Sequence, residues 1–333
     1  MPPPIAPSGI TWSWPRAFLG LAVGLPAAVV VLVDVQLGLA LAVGVMPAAT
    51  VAVSPRRRGR IITAVVGAVA GACMIAGAVL AEVPVLAVTG IVVLSLGAAW
   101  WATRGRAGML AMGLGLPLVG VGLSFSDLGV AVGLGSLMVV GAVWAWLVSL
   151  LWPETEAVPP PAPRLPVRAA LVYGCLLGAA GGIAATIGFA ADLEHVGWAT
   201  AAVLLVMRPG REALVLRSVG RACSVVTGAL LGGLFMASGP AVGLVAAAVL
   251  VALVGLSATQ PSRWYVAPAF TTFIVFVLLL RESPSDAGQR FGERTVETLL
   301  GVGLALFFGA VVPMVLQRRR SRSARPEAAA QST

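Results

Sequence analysis

The sequence contains few of the residues on which enzyme active sites depend. Of its 333 residues only 11% are charged, a single residue is histidine, three are cysteine, and lysine does not occur at all. A phosphate-binding loop of the GxxxxGK type requires a lysine, which argues against direct hydrolysis of ATP. One histidine cannot build a metal centre by itself. We therefore expect a protein that is not an enzyme, with no catalytic residue, no metal site and no cofactor.

Hydrophobic residues make up 59% of the chain, and its mean hydropathy is +0.99. A soluble core cannot hide that much apolar surface, so the chain must face lipid. Helices satisfy their own backbone hydrogen bonds in lipid, and a span needs roughly 17–25 apolar residues. The sequence predicts an all-α polytopic membrane protein with about twelve transmembrane helices, near residues 17–34, 36–53, 61–80, 84–101, 107–124, 128–151, 168–190, 195–207, 217–238, 240–258, 264–280 and 295–316.

The arginines predict the orientation of these spans. If the N-terminus is cytoplasmic, 19 of the 22 basic residues lie on the inner side, and only Arg281, Arg290 and Arg294 lie outside. Cytoplasmic loops of membrane proteins carry such an excess of positive charge, so both termini are predicted to be cytoplasmic. The high pI of about 11.2 then reflects topology, and we expect no nucleic-acid partner.

A repeated unit relates the two halves of the chain. Two arginine-rich turns, each followed by an apolar run, align without a gap at a distance of 161 residues. The matched positions are Arg56, Gly59, Arg60, Val65, Gly67, Ala68 and Gly71 in the first copy, and Arg217, Gly220, Arg221, Val226, Gly228, Ala229 and Gly232 in the second. Six crossings return a chain to its starting side, so the pattern predicts two parallel six-helix repeats.

The domain boundaries follow from this repeat and from a proline-rich stretch between its copies. We expect a first six-helix half at residues 1–152, a stiff cytoplasmic linker at 153–167, a second half at 168–316 and a basic, disordered cytoplasmic tail at 317–333.

The conserved spacing of Arg and Gly within the repeat has two interpretations. The pairs Gly67 with Gly71 and Gly228 with Gly232 are small-xxx-small patterns that favour close helix packing. Arginines at the inner lip can contact lipid phosphates, or they can bind an anionic substrate through the bidentate geometry of the guanidinium group. We favour capture of a substrate carboxylate, and the alternative is lipid anchoring.

The second span of each half is short or interrupted. Pro47 interrupts the first of them, and the span at 195–207 is short. Broken spans at corresponding positions are typical of transporter binding sites, although an ordinary proline kink explains them equally well. A cavity there would be lined by Met46, Trp198, Thr200 and Met207, with an interfacial anchor as the alternative for Trp198.

Glu297 is predicted to lie about one turn inside the last span. Ionisable groups at membrane depth are costly, which makes them candidates for function. Arg294 precedes it by three residues, so the two can pair on one helix face. A structural ion pair and a carboxylate that couples transport to protons are the two alternatives.

Three stretches of the second half resemble the fusaric acid resistance protein-like and aromatic acid exporter group of integral membrane transporters, the FUSC family. The first is Gly197-Trp198-Ala199-Thr200 with Val206-Met207-Arg208-Pro209, Arg217, Arg221, Gly228 and Gly232. The second is Trp264-Tyr265 with Phe270-Thr271-Thr272. The third is the run from Arg290 to Gly301, in which Glu297 stands where the family usually has Asp. The first half matches only weakly, through residues 56–71.

The resemblance implies a secondary transporter of the bacterial inner membrane that exports small anionic or aromatic compounds, driven by protons. The substrate-binding residues would be Arg60, Arg221, Arg217, Trp198, Thr200, Met207 and Thr271, with Glu297 and Arg294 coupling transport to the ion. The expected partners are an organic anion and membrane lipid, with a homo-oligomer possible through glycine-rich faces. A non-transporting accessory subunit or scaffold, and an anion channel of related architecture, are the alternatives.

Overall fold

The computed structural model of the protein describes residues 9–51, 53–155, 166–207, 212–262, 265–282 and 287–315. All regular secondary structure in these ranges is helical. The first half contains α1 (Trp14–Val33), α2 (Val35–Ala49), α3 (Ile61–Ala81), α4 (Pro84–Ala102), α5 (Arg106–Leu110), α6 (Leu116–Gly122) and α7 (Leu128–Leu150). The second contains α8 (Val167–Ala190), α9 (Val196–Val206), α10 (Glu212–Ala237), α11 (Val242–Ala258), α12 (Ala267–Glu282) and α13 (Ala287–Leu306).

Each predicted span corresponds to a helix. A π-helical turn at Ala111–Gly115 joins α5 to α6 in one span, and a second at Phe307–Val311 extends α13. Within the described ranges, seven helices are long and apolar enough to cross a membrane, and five apolar segments are shorter. The chain is therefore a helical, multi-pass membrane protein.

The last helix begins earlier than the sequence indicated. α13 begins at Ala287, eight residues before the predicted start of the span at 295. The charged residues Arg290, Glu293 and Arg294 suggested a loop, but in the structure they are only partly exposed inside the helix. Ionic and aromatic contacts with the start of α9 hold them there, so charge did not mark the boundary.

The outer surface of the bundle is apolar along its length. On α1 the exposed residues Leu21, Leu25, Val29 and Leu32 recur every three or four positions and are between 42% and 57% exposed. Such a stripe faces outward from one side of a helix. Contiguous apolar surface of this kind suits lipid and would be unstable in water.

The halves of the chain share their hydrophobic cores. α1 packs along α11, and α4 packs along α8. Smaller contacts join α2 to α12 and α6 to α9. One core contains Leu39 and Leu253 and another contains Ile91 and Leu177, so each core takes side chains from both halves. The halves therefore form one bundle.

Glycines in the repeated unit lie where helices approach most closely. A Cβ atom added at Gly71 would meet the backbone carbonyl of Gly135 on α7. One added at Gly228 would meet the carbonyl of Ala269 on α12. No larger residue fits at these places without moving a helix, which is the role of small residues in membrane helix packing.

The two short second spans differ in how they end. α2 continues through Pro47 and ends two residues later at Ala49, so this proline lies in the last turn and does not interrupt the helix. α9 is only 11 residues long, and almost all of its side chains are buried. The remainder of the predicted turn after α9, Arg208-Pro209, lies outside the described residues, as does Trp264.

Candidate functional site

Arg60 and Arg221, which align in the sequence, have different surroundings. Arg60 is 1% exposed, and its Nε donates a hydrogen bond to the carbonyl of Ser54 at 3.1 Å. Its terminal nitrogens donate to the carbonyls of Ser149, Trp152 at 2.8 Å and Pro153 at 2.8 Å. These carbonyls lie at and just beyond the end of α7. Arg60 thus satisfies carbonyls that a helix end leaves free, and it retains no pair of donors for a carboxylate.

Arg221 lies deeper and has no such bonds. It is nine residues beyond the first residue of α10, or about 13 Å along the helix axis. Its side chain is 7% exposed, and its Nε has no hydrogen-bond partner among the described residues. The charge of Arg294 on α13 acts on it. Like charges in a poorly hydrated region are costly unless an anion offsets them.

Trp198 connects α9 to this pair of arginines. The guanidinium carbon of Arg294 lies 4.1 Å from the centre of the Trp198 ring, a cation–π contact. The ring of His195 also stacks on Trp198, with centres 4.0 Å apart. Trp198 is 7% exposed and therefore does not anchor the protein at the lipid interface.

Glu297 is buried on α13. It is 2% exposed, and its Oε2 makes no hydrogen bond within the described ranges. The sequence allowed an ion pair with Arg294, but among the described residues the salt bridge found in this region joins Arg290 to Glu194, at 3.2 Å. The charge of Arg294 nevertheless acts on the Glu297 carboxyl group.

The other predicted site residues lie at different depths. Thr200 on α9 is completely buried, and its hydroxyl has no partner among the described residues. Arg217 is half-buried, one turn before Arg221 on α10. Met207 is packed in the core, and its carbonyl accepts a hydrogen bond from Tyr173 at 2.6 Å. Thr271 donates to the carbonyl of Pro268 in its own helix, at 3.2 Å.

A network of charges lies at the start of α9 and α13. Potential ligand atoms of Glu194, His195 and Glu293 lie within 4.8 Å of one another. Arg290 pairs with Glu194, and Gln289 donates to Glu293 at 2.9 Å. These carboxylates therefore already have polar partners without a metal ion.

His195 belongs to this network. Burial, with the positive charges of Arg290 and Arg294, lowers the pKa of His195 to about 4, and the charge of Glu293 partly opposes this shift. The imidazole is neutral at pH 7 as a result. Its position three residues before Trp198, on the same face of the first turn, was the one sequence signal for this contact.

Several of the buried atoms that have no hydrogen-bond partner among the described residues occur on three helices that pack against one another, α9, α10 and α13. Four of them are Thr200 Oγ1, Arg221 Nε, Arg294 Nε and Glu297 Oε2. Buried polar atoms in proteins nearly always have a hydrogen-bond partner, so several in one region indicate a place for water or a polar ligand. We call this set, together with Trp198, the buried polar cluster.

The buried polar cluster falls within the part of the chain that resembles a known family. Residues 183–308 match the family described as fusaric acid resistance protein-like. This match confirms the resemblance seen in the second half of the sequence, and it does not extend to the first half. No curated protein and no solved structure matches the chain significantly.

Proposed function

We propose that the protein is a secondary transporter that uses a proton gradient to export small anionic or aromatic compounds. The family match supports a membrane transporter of the efflux type. The observation that carries the finer proposal is the buried polar cluster, where atoms of two arginines, a threonine and a carboxyl group are buried beside Trp198 without a hydrogen-bond partner among the described residues.

The cluster has the chemistry to bind an aromatic anion. Arg221 and Arg294 supply guanidinium groups, which hydrogen-bond carboxylates in a planar, two-pronged geometry. Trp198 supplies an aromatic surface beside them, and the Thr200 hydroxyl a further polar contact. In a place that excludes water, each of these interactions is stronger than at a surface.

Glu297 supplies the coupling to protons. Because it has no ion-pair partner within the described ranges, it can gain or lose a proton without breaking a salt bridge. Export driven by an inward flow of protons requires that the proton and the substrate replace each other on the protein during the transport cycle. In this proposal Glu297 carries the proton when the protein returns without substrate, and releases it before the next substrate binds.

The architecture supports two parallel six-helix repeats. α1, the first span of the first half, packs on α11, the fourth span of the second half. In the same way α4, the fourth span of the first half, packs on α8, the first span of the second half. The second span of each half, α2 or α9, likewise packs against the fifth span of the other half, α12 or α6. Together with the arginine distribution, this supports the proposal that both termini, the proline-rich linker and the basic tail are on the cytoplasmic side of a bacterial inner membrane.

Transport in liposomes tests the proposal. The purified protein in vesicles with an acidic lumen should take up labelled benzenesulfonate, an aromatic anion that does not cross lipid as a neutral acid, and a protonophore should abolish this uptake. Arg221→Ala should reduce uptake at least tenfold, with Arg221→Lys only partly active because an ammonium cannot bind bidentately. Arg281→Ala, at an exposed arginine, is the matched control.

Two results would reject the proposal. An absence of flux under every gradient would indicate an accessory subunit or scaffold. Single-channel currents carried by the anion, with no dependence on the proton gradient, would indicate a channel. Equal uptake by Arg221→Ala and the parent protein would leave that arginine as a structural residue.

A further inference from the structure

A separate cavity of about 220 Å3 lies in the first half of the bundle. It lies at the start of α1 and α3 and at the ends of α2, α7 and α11. These five helix ends are on the same side of the bundle, which the arginine distribution predicts to be cytoplasmic. Apart from Ser257 and Gln260, its wall comes from residues outside the family match at 183–308.

The cavity is positively charged. Arg16 and Arg60 line it, and none of its lining residues is acidic. Arg60 is held by backbone carbonyls, whereas Arg16 has no hydrogen bond or ion pair with any described residue. Glu154, in the neighbouring segment, accepts a hydrogen bond from the backbone N–H of Arg57 at 2.7 Å and does not line the cavity.

The rest of the wall is divided between apolar and hydroxyl groups. Leu19, Val23, Ala48 and Ala145 form an apolar surface, and Ser13 and Thr63 add hydroxyl groups. Pockets for drug-sized molecules are typically about 300–1,000 Å3, so this cavity suits a smaller ligand, of the size of a single ring.

We propose that this cavity is a second binding site, which takes a small organic anion with its acid group on Arg16 and its apolar body against Leu19 and Val23. Two buried or half-buried cations without a carboxylate create a positive potential that only an anion can neutralise. The role of this site rests on the proposed function: the site collects substrate on the cytoplasmic side before the substrate reaches the buried polar cluster.

The acid group could also belong to a lipid, and the shared chemistry is an oxyanion on Arg16. Residues 53–55 and, after α7, Trp152, Pro153 and Thr155 line the cavity together with the helix ends. Because these segments lie in the connections between spans and not on the lipid-facing sides of helices, the geometry favours a free anion over a phospholipid headgroup.

Binding of benzoate to the full-length protein in neutral detergent, measured by calorimetry, tests the site. Arg16→Gln should weaken binding at least tenfold, and Arg16→Lys should weaken it less. Ala49→Leu, which fills the half-buried wall without removing a charge, should also weaken it. Arg58→Gln is the matched control, because Arg58 is exposed on the turn that carries Arg60 and does not line the cavity.

The chemical class of the ligand is tested with three further probes. Benzamide, which is neutral, and inorganic phosphate, which has no apolar body, should each bind at least tenfold more weakly than benzoate. Nanodiscs rich in phosphatidylglycerol should leave benzoate binding unchanged, whereas strong competition by that lipid would assign the site to a headgroup and overturn the proposal.

The outcome is separable from that of the transport experiment. Unchanged benzoate binding in both Arg16→Gln and Ala49→Leu, with both variants monodisperse and thermally stable, would reject this site even if transport occurs. Binding that depends on Arg16 but not on Arg221 would establish the site, even if no flux is found.

Discussion

At the scale of single residues, a substitution of the buried Glu297 can distinguish proton coupling from substrate binding. A glutamine at this position keeps the shape of the side chain and cannot release a proton. We predict that Glu297→Gln retains exchange of labelled for unlabelled substrate across the vesicle membrane but loses at least tenfold of the accumulation driven by a pH gradient.

The matched control for this variant is Glu82→Gln, since Glu82 is exposed at the end of α3. It should behave like the parent protein in both assays. If Glu297→Gln accumulates substrate normally, Glu297 does not carry the coupling proton.

His195 predicts a dependence of stability on pH. Between pH 6.5 and about 4, an unfolded His195 binds a proton, whereas the folded protein, in which its pKa is about 4, does not. The free energy of unfolding must therefore fall as the pH decreases through this range. We predict that the melting temperature in detergent falls more between pH 7.5 and pH 5 in the parent protein than in His195→Gln. An equal decrease in both would show that His195 is protonated in the folded state.

At the scale of helices, the packing of α3 on α7 is sensitive to the size of one residue. A side chain at Gly71 would meet the backbone of Gly135, so Gly71→Val must push the helices apart. We predict a loss of about 1–3 kcal/mol in the free energy of unfolding, the usual cost of overpacking. The measurement is thermal unfolding in detergent.

Gly97 on α4 is the control, because a Cβ atom there has open space around it. Gly97→Ala should gain about 0.5–1 kcal/mol, the usual helix preference for alanine over glycine. A similar loss in both variants would mean that glycine matters for the helix itself and not for the contact between α3 and α7.

The positions of most helices followed from the sequence because lipid imposes a simple length and composition. The start of α13 did not, since its charged residues are stabilised by Glu194 and Trp198 on another part of the chain. The difference between Arg60 and Arg221 was also hidden. Both follow the same local pattern, but Arg60 meets carbonyls that lie about ninety residues later in the chain. A local repeat indicates common ancestry of two elements and not a common environment.

At the scale of the whole molecule, the proposed topology of twelve spans predicts that both termini lie on one side of the membrane. Reporter fusions after residue 155 and after the last residue should both be active for a reporter that functions in the cytoplasm and inactive for one that requires export. A fusion at residue 239, in the turn between α10 and α11, should show the opposite pattern. The same activity at all three positions would contradict the predicted topology.

The hydrogen bonds of Arg60 have a mechanical consequence. They tie the turn before α3 to the end of α7, while glycine contacts nearer the middle of α7 bring the two helices together. The following segment is tied as well, since the backbone N–H of Thr155 donates to the carbonyl of Pro55 at 3.2 Å. Separating α3 from α7 would leave several buried polar groups without partners, at a cost of about 1–3 kcal/mol each. We therefore expect α3 and α7 to move together as one unit when the bundle changes shape.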